Sequence, residues 1–247
     1  ASGCVTRAER VVGVLAACMV LFGISGIVLP KNASVQSAPN IIFIIADDLG
    51  YADLSVYGNT AIHPPNLDAL ADQGLVFTEY HANGPVCSPT RAALLTGQYP
   101  HRFGIRKVIC SEYGRSIPRD VVTLPELLKQ AGYATFHFGK WHVGDARPEY
   151  KPLAKGYDRF VGFLAGYLGS YTNPWLLNNT RIVQYGGHLT DILTDQAVDV
   201  IDNHAHDEPF LINLWYYAPH LPLDPHPRWA EKYPDTDEGK YAAMVST

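Results

Sequence analysis

The sequence has few charged residues, no excess of basic over acidic residues and few cysteines. Each of these absences argues against a class of protein. Charged residues make up 17% of the 247 residues and hydrophobic residues 47%, which excludes an intrinsically disordered chain. Lys and Arg number 19 against 24 Asp and Glu, and the net charge of −5 disfavours a nucleic-acid binder. Four cysteines are too few for a disulfide-stapled scaffold of this length.

The N-terminal 38 residues differ from the rest. Arg7 and Arg10 precede an apolar stretch without charge, residues 11–29, and a run of small polar residues follows it. This order predicts a signal peptide or a retained membrane anchor plus a short linker over residues 1–38. We favour the cleaved signal. Either way we expect an exported protein (periplasmic, secreted, or routed to the lysosome or endoplasmic reticulum), membrane-anchored only if residues 11–29 are retained.

The body of the chain alternates between strand and helix patterns. Residues 41–45 form an apolar, β-branched run that predicts a strand buried on both faces. A capping box, Thr123-Leu-Pro-Glu126, predicts a helix start. The remaining patterns predict strands at 75–77, 133–138 and 210–217, and helices from Asn66, from Ala92, and over 190–203 and 240–247. The alternation favours an α/β fold with a largely parallel sheet, whose sites gather at the carboxyl ends of strands.

Two adjacent carboxylates, Asp47 and Asp48, follow the first strand. They repel each other unless a cation or hydrogen-bond donors lie between them, and Ca²⁺ or Mg²⁺ takes oxygen ligands of this kind. A solvated turn before Gly50 explains the pair equally well.

Cys87 and Cys110 are the two cysteines of the body. In an oxidising compartment the simplest expectation is a disulfide between them. Cys87, however, opens the segment Cys-Ser-Pro-Thr-Arg ahead of a helical pattern, where Arg91 and a helix N-terminus would activate a thiol. A disulfide and a reactive Cys87 exclude each other.

Two further polar clusters follow predicted strands. Lys140 and His142 alternate after the strand at 133–138, where Lys140 would contact an anion and His142 would exchange a proton. The alternative is a surface lysine and a histidine packed in the core. Taken without the other motifs, the Lys140 and His142 pair favours this alternative. His220 follows the strand at 210–217, and we assign the other histidines to structural or surface positions.

Four sequence motifs follow one another along the body of the chain. They are Asn40-Ile-Ile-Phe-Ile-Ile-Ala-Asp-Asp-Leu-Gly50, Cys87-Ser-Pro-Thr-Arg91 with Leu95-Thr96-Gly97, Gly139-Lys-Trp-His142-Val-Gly144, and Pro219-His220-Leu-Pro222. Together they resemble the type I sulfatases of the alkaline-phosphatase-like superfamily, with arylsulfatase-like members nearest. In that family the cysteine of Cys-x-Pro-[Ser/Thr]-Arg is oxidised to Cα-formylglycine by a maturation enzyme. The resemblance covers residues 39–247 and implies a mostly parallel sheet sandwiched by helices.

The resemblance implies hydrolysis of sulfate esters through a formylglycine diol at position 87. One hydroxyl attacks sulfur, the alcohol leaves, and the other hydroxyl then expels sulfate. Ca²⁺, or Mg²⁺, would lie on Asp47, Asp48 and the modified Cys87. The implied roles of the other residues are these: Arg91 holds the diol, Lys140 contacts sulfate and diol, His142 is the base in sulfate expulsion, and His220 binds sulfate and protonates the leaving alkoxide. The implied partners are a sulfated small molecule or carbohydrate and the formylglycine-generating enzyme.

One departure from the family concerns the metal site. The family takes further ligands from a later Asp-Asn-Gly segment, which this sequence lacks, and Asp202-Asn203 ends a predicted helix instead. We therefore expect residues 39–247 to be the N-terminal part of a longer catalytic domain, with a weak metal site and little or no activity alone. Two alternatives stay open: a phosphonate or phosphodiester hydrolase on the same scaffold, and a non-catalytic exported domain that binds sulfated glycans.

Overall fold

The computed structural model describes residues 38–62, 64–110, 114–205 and 207–247. The expected signal peptide or anchor, apart from residue 38, lies outside the described residues. In the part that is described, we find no helix with both the length and the apolar character needed to cross a bilayer.

The described residues form one six-stranded mixed sheet. Its strands are β1 Ile41–Asp47, β2 Ala134–Lys140, β3 Arg159–Phe163, β4 Trp175–Asn178, β5 Arg181–Gln184 and β6 Phe210–Pro219. The spatial order is β1-β6-β2-β3-β4-β5. The first four strands in this order are parallel, and β4 pairs antiparallel with both β3 and β5. The sheet is therefore mostly parallel, as predicted.

Helices cover both faces of this sheet. Those of the described chain are α1 Pro65–Gln73, α2 Cys87–Thr96, α3 Leu124–Gln130, α4 Leu189–Asn203, α5 Pro227–Ala230 and α6 Asp237–Val245. On one face Leu193 of α4 packs in a buried cluster with Ile212 of β6. On the other face Leu95 of α2 packs with Leu211 and Trp215. Because successive strand residues point to opposite faces, β6 supplies both cores, and the predicted sandwich of helices around a sheet is confirmed.

The register brings three chain segments to one edge of the sheet. Trp215 of β6 pairs with Ile45 of β1 on one side and with Gly139 of β2 on the other. The strands are parallel, so the residues that follow each of them emerge at the same edge. Gly139 has φ +119°, and a Cβ there would lie 1.8 Å from the Trp215 carbonyl oxygen. Only glycine therefore lets β2 and β6 approach this closely.

Strand β1 differs from its prediction. It was expected to be buried on both faces, but Ile42 is 45% exposed and Ile44 is 53% exposed. The reason is that β1 is the edge strand of the sheet, and the face that carries Ile42 and Ile44 is only partly covered. An apolar run does not distinguish an edge strand from a central one.

The strand predicted at residues 75–77 is wrong. These residues form no strand, and Leu75 and Phe77 are 87% and 65% exposed. Three apolar residues supply too short a pattern to pair with the sheet. The helix predicted from Asn66 begins at Pro65 instead, and the helix expected over 240–247 spans Asp237–Val245. The capping box is confirmed: Glu126 Oε2 accepts the Thr123 N–H at 2.7 Å.

Candidate active site

Helix α2 begins at Cys87 itself, five residues before the predicted start at Ala92. Pro89 lies in the first turn of this helix, where N–H groups have no intrahelical acceptors and proline is tolerated. Arg91 lies one turn after Cys87, at the spacing that puts two side chains on the same helix face. The thiol therefore lies at the positive end of a helix dipole, beside a buried guanidinium.

A buried charge cluster surrounds Asp47 at the end of β1. Lys140 Nζ lies 2.5 Å from Asp47 Oδ2, and an Arg91 guanidinium nitrogen lies 3.2 Å from Oδ1. Arg91 also donates to the Lys140 carbonyl at 2.6 Å. Burial raises the pKa of the Asp47 carboxyl, but the charges of Arg91 and Lys140 outweigh burial and leave it below its usual value. Two cations and one carboxylate give the cluster a net positive charge.

This cluster reaches Cys87 through Lys140. The Lys140 ammonium lies 3.4 Å from Cys87 Sγ and is fully buried. A thiol or its oxidised product at this position therefore meets a fixed positive charge without a water layer between them. The predicted association of Cys87, Arg91 and Lys140 is present in the fold.

Asp48 and His220 form the solvent-facing side of the site. Asp48 takes a left-handed backbone, φ 64°, and its Oδ2 lies 3.6 Å from His220 Nε2. His220 Nδ1 lies 2.7 Å from the Leu221 carbonyl. That carbonyl only accepts, so Nδ1 carries a proton and Nε2 is the nitrogen left facing the site.

His142 lies on the wall of the site, also with a left-handed backbone, φ 55°. Its Nε2 donates to the Ile109 carbonyl at 3.1 Å, and Nδ1 is buried with no partner among the described residues. Burial, followed by the charges of Lys140 and Arg91, lowers the pKa of His142 to about 4. At neutral pH this imidazole is uncharged, which is the form a general base needs. Left-handed non-glycine residues such as His142 and Asp48 cluster at functional sites.

One cavity of about 640 Å³ opens onto these groups. Its walls come from the α2 start, the 108–110 loop, the 142–145 turn and the 164–167 loop, with His220 at one side. Cys87 and Cys110 both line it, and both are free thiols in the described part of the chain, so the expected disulfide is not formed. The sequence did not point to Ile109 or Tyr167, because loop residues far apart in the chain carry no periodic pattern.

The donors at this edge fit part of a cation site. Asp47, Cys87 and His220 each offer one atom within 4.8 Å of the others. Asp48 adds a carboxylate that is 64% exposed. Two adjacent carboxylates suit a hard cation, and an oxygen in place of the Cys87 sulfur would suit it better. Ca²⁺ takes six to eight oxygens, so these residues supply a fraction of its ligands.

The family model described as Sulfatase matches residues 39–245. The chain belongs to the sulfatase family. N-acetylgalactosamine-6-sulfatase of Homo sapiens is 34% identical over 210 residues, covering 75% of this chain and 40% of that protein. Arylsulfatase J of Mus musculus is 32% identical, covering 85% of this chain and 38% of its own length.

Two solved structures share the fold. The structure named Ps i-CgsB has a TM-score of 0.80 and 34% identity, covering 84% of this chain and 52% of its own. BT4656, in complex with its substrate D-glucosamine-2-N,6-O-disulfate, has a TM-score of 0.67 and 32% identity, covering 81% of this chain and 39% of its own. The chain thus spans about two fifths of the length of the curated relatives named here and up to about half of these solved chains.

Proposed function

We propose that the protein hydrolyses sulfate esters, with Cys87 as the precursor of a formylglycine nucleophile. The observation that carries this proposal is the contact of Cys87 Sγ with the fully buried Lys140 ammonium, 3.4 Å away, at the start of a helix. Membership of the sulfatase family supports the same chemistry. Oxidised to the hydrated aldehyde, position 87 would supply the attacking hydroxyl.

The surrounding side chains have distinct roles in this proposal. Lys140 and Arg91 provide positive charge that is already in place when negative charge builds up on the sulfate oxygens. His142, kept neutral by burial and by the neighbouring cations, accepts a proton when sulfate is expelled. His220 presents Nε2 toward the site and, as the imidazolium, delivers its Nε2 proton to the departing alkoxide oxygen, while Nδ1–H stays on the Leu221 carbonyl.

Asp47 and Asp48, together with the modified Cys87, would hold a divalent cation, Ca²⁺ or Mg²⁺. When bound, such a cation supplies Lewis-acid polarisation of a sulfate oxygen. Asp47 would meanwhile keep its contacts with Lys140 and Arg91, so one carboxylate orients both the cation and the two positive side chains.

The substrate class we propose is a sulfated carbohydrate. Ps i-CgsB has been solved with k-i-k-neocarrahexaose and BT4656 with a glucosamine disulfate, so relatives of comparable identity bind sulfated sugars. The cavity of about 640 Å³ is large enough for a sugar ring, and Tyr167 on its rim is 57% exposed. Export of the protein and maturation by a formylglycine-generating enzyme belong to the same proposal.

The test is co-expression with a formylglycine-generating enzyme, followed by mass spectrometry of the peptide containing Cys87. Replacement of the thiol and one hydrogen by an aldehyde oxygen lowers the peptide mass by about 18 Da. Any turnover of sulfate esters, which we expect to be weak for residues 39–247 alone, should then accompany the mass shift and be absent from Cys87→Ala.

Three outcomes contradict the proposal in different ways. An unshifted peptide, or Cys87 joined to Cys110, contradicts formylglycine chemistry. A shifted peptide with faster turnover of phosphate diesters or phosphonates than of sulfate esters indicates the phosphohydrolase alternative. Binding of a sulfated glycan without turnover of any ester indicates a non-catalytic domain.

A further inference from the structure

Tyr217 is a buried aromatic residue next to His220 that the assigned chemistry does not use. It lies near the end of β6, is fully buried, and belongs to none of the sequence motifs. We propose that Tyr217 is a positioning residue that holds the His220 imidazole in the orientation needed to protonate the leaving group. This inference rests on the proposed function, since it concerns the same site.

The Tyr217 ring is in contact with the His220 ring. The two ring centroids are 4.7 Å apart and their planes are 27° from parallel. Stacking of this kind limits rotation of the imidazole about its χ angles. On the same tyrosine, the Lys140 ammonium lies 5.3 Å from the ring centroid, a cation–π distance. The Tyr217 ring thus contacts both the His220 imidazole and the Lys140 ammonium.

The Tyr217 hydroxyl and the His220 imidazole bind the same acceptor. The hydroxyl donates to the Leu221 carbonyl, which also accepts from His220 Nδ1 at 2.7 Å. The hydroxyl accepts in turn from the Leu168 N–H at 3.2 Å, directly after the cavity-lining residues 164–167. The Leu221 carbonyl is thereby fixed in place and holds one His220 proton on Nδ1, so the proton that His220 delivers is a second one, on Nε2.

Tyr171 supports Tyr217 from behind. Their rings stack at 5.0 Å and 22°, and the Tyr171 hydroxyl donates to the His220 carbonyl at 2.6 Å. On its other side Tyr171 stacks on the buried His188 at 5.4 Å. A continuous aromatic stack therefore runs from His188 to His220. Its inner members are buried and hydrogen-bonded, so His220 has few orientations available.

This arrangement predicts a change in leaving-group dependence. A sugar hydroxyl is a poor leaving group and needs a proton, whereas 4-nitrophenolate leaves without one. If Tyr217 positions the acid, its removal slows esters of poor leaving groups most. A purely structural role would slow all esters by the same factor.

The experiment compares Tyr217→Leu, Tyr217→Phe and the control Tyr216→Leu in the protein matured with a formylglycine-generating enzyme. Tyr216 is the adjacent residue of β6, and its hydroxyl contacts Thr194 of α4 instead of the site. The substrates are 4-nitrophenyl sulfate, phenyl sulfate and a sulfated monosaccharide. We expect Tyr217→Leu to lower kcat about 10- to 100-fold for the sugar sulfate and about threefold for 4-nitrophenyl sulfate. Tyr217→Phe, which keeps the stack, recovers part of the loss, and Tyr216→Leu leaves the ratio unchanged.

A second readout does not depend on turnover. Nitrogen NMR of histidine-labelled protein reports which nitrogen of His220 carries the proton. We expect Nδ1 to stay protonated in the wild-type protein, so that the proton given to the leaving group is the one on Nε2, and we expect a mixture of Nδ1- and Nε2-protonated rings in Tyr217→Leu. An unchanged tautomer, or an equal loss of kcat for every leaving group, overturns the positioning role. If Cys87 is not converted to formylglycine, the proposed function fails, and the protonation of His220 alone decides the role of Tyr217.

Discussion

Lys140 and Asp47 form a buried ion pair in which the ammonium nitrogen and a carboxylate oxygen are 2.5 Å apart. Arg91 completes the pair from the other carboxylate oxygen at 3.2 Å. The three residues come from the ends of β2 and β1 and from α2, so this contact joins the elements that form the site. Removing one partner of such a cluster leaves the others charged and buried.

We therefore expect Asp47→Asn to destabilise the protein by about 3–5 kcal/mol, because two buried cations lose their counter-charge. The measurement is urea unfolding in the presence of a chelator, so that loss of cation binding does not contribute. Asp48→Asn is the matched control, since Asp48 is mostly exposed and should cost less than about 1 kcal/mol. Equal effects of the two substitutions would show that the buried cluster is not what stabilises this edge of the sheet.

Asp48→Asn should instead change the affinity of the protein for a divalent cation. We expect it to weaken the affinity for Ca²⁺ or Mg²⁺ measured by calorimetry, since an amide oxygen replaces a carboxylate oxygen. Chelation of the cation should lower turnover of sulfate esters, and added Ca²⁺ should restore it. An unchanged affinity in Asp48→Asn would remove this residue from the set of proposed ligands.

Gly166 and His142 provide a steric prediction. A Cβ at Gly166 would lie 2.3 Å from a carbon of the His142 imidazole, so alanine must displace the ring. If His142 is the base, Gly166→Ala should lower kcat about 100-fold or more, beyond the destabilisation of about 1–3 kcal/mol that overpacking a buried site causes. Gly169→Ala is the control, because nothing lies within 4 Å of its added methyl group. Full activity of Gly166→Ala would argue against a role for His142 in the reaction.

Two buried histidines predict how stability depends on pH. Burial, followed by the charge of Arg91, lowers the pKa of His137 to about 3, and that of His142 is lowered to about 4. Between these values and 6.5, the usual histidine pKa, the unfolded chain binds more protons than the folded one. Stability is therefore complete above pH 6.5 and is lost as the pH falls, by about 2 kcal/mol for each imidazole at pH 5.

Denaturant unfolding at a series of pH values between 7 and 5 measures this dependence. His137→Gln keeps a polar side chain that does not titrate, so its curve should fall less steeply than that of the wild type. The comparison is of slopes, since the substitution itself shifts stability at every pH. Identical slopes would contradict the lowered pKa of His137.

The residues to which we assign the proposed chemistry were accessible from the sequence. Cys87, Arg91, Lys140 and His220 each lie in a short motif that follows a strand or opens a helix, and the structure brings them to one edge of the sheet. The parallel sheet, the amphipathic α4 and the capping box at Thr123 were accessible for a similar reason. Local periodicity and capping are encoded within a few neighbouring residues.

The tertiary structure alone decided how these parts meet. The exposure of Ile42 and Ile44 follows from the edge position of β1, and strand order is not encoded in a strand's own residues. The start of α2 at Cys87, the free thiols of Cys87 and Cys110, and the stack of Tyr217 on His220 also depend on packing between distant segments. The sequence by itself determined which side chains are available and where each strand or helix places them locally. Their distances, protonation and exposure were decided by long-range packing, because burial and neighbouring charge arise only when the chain is folded.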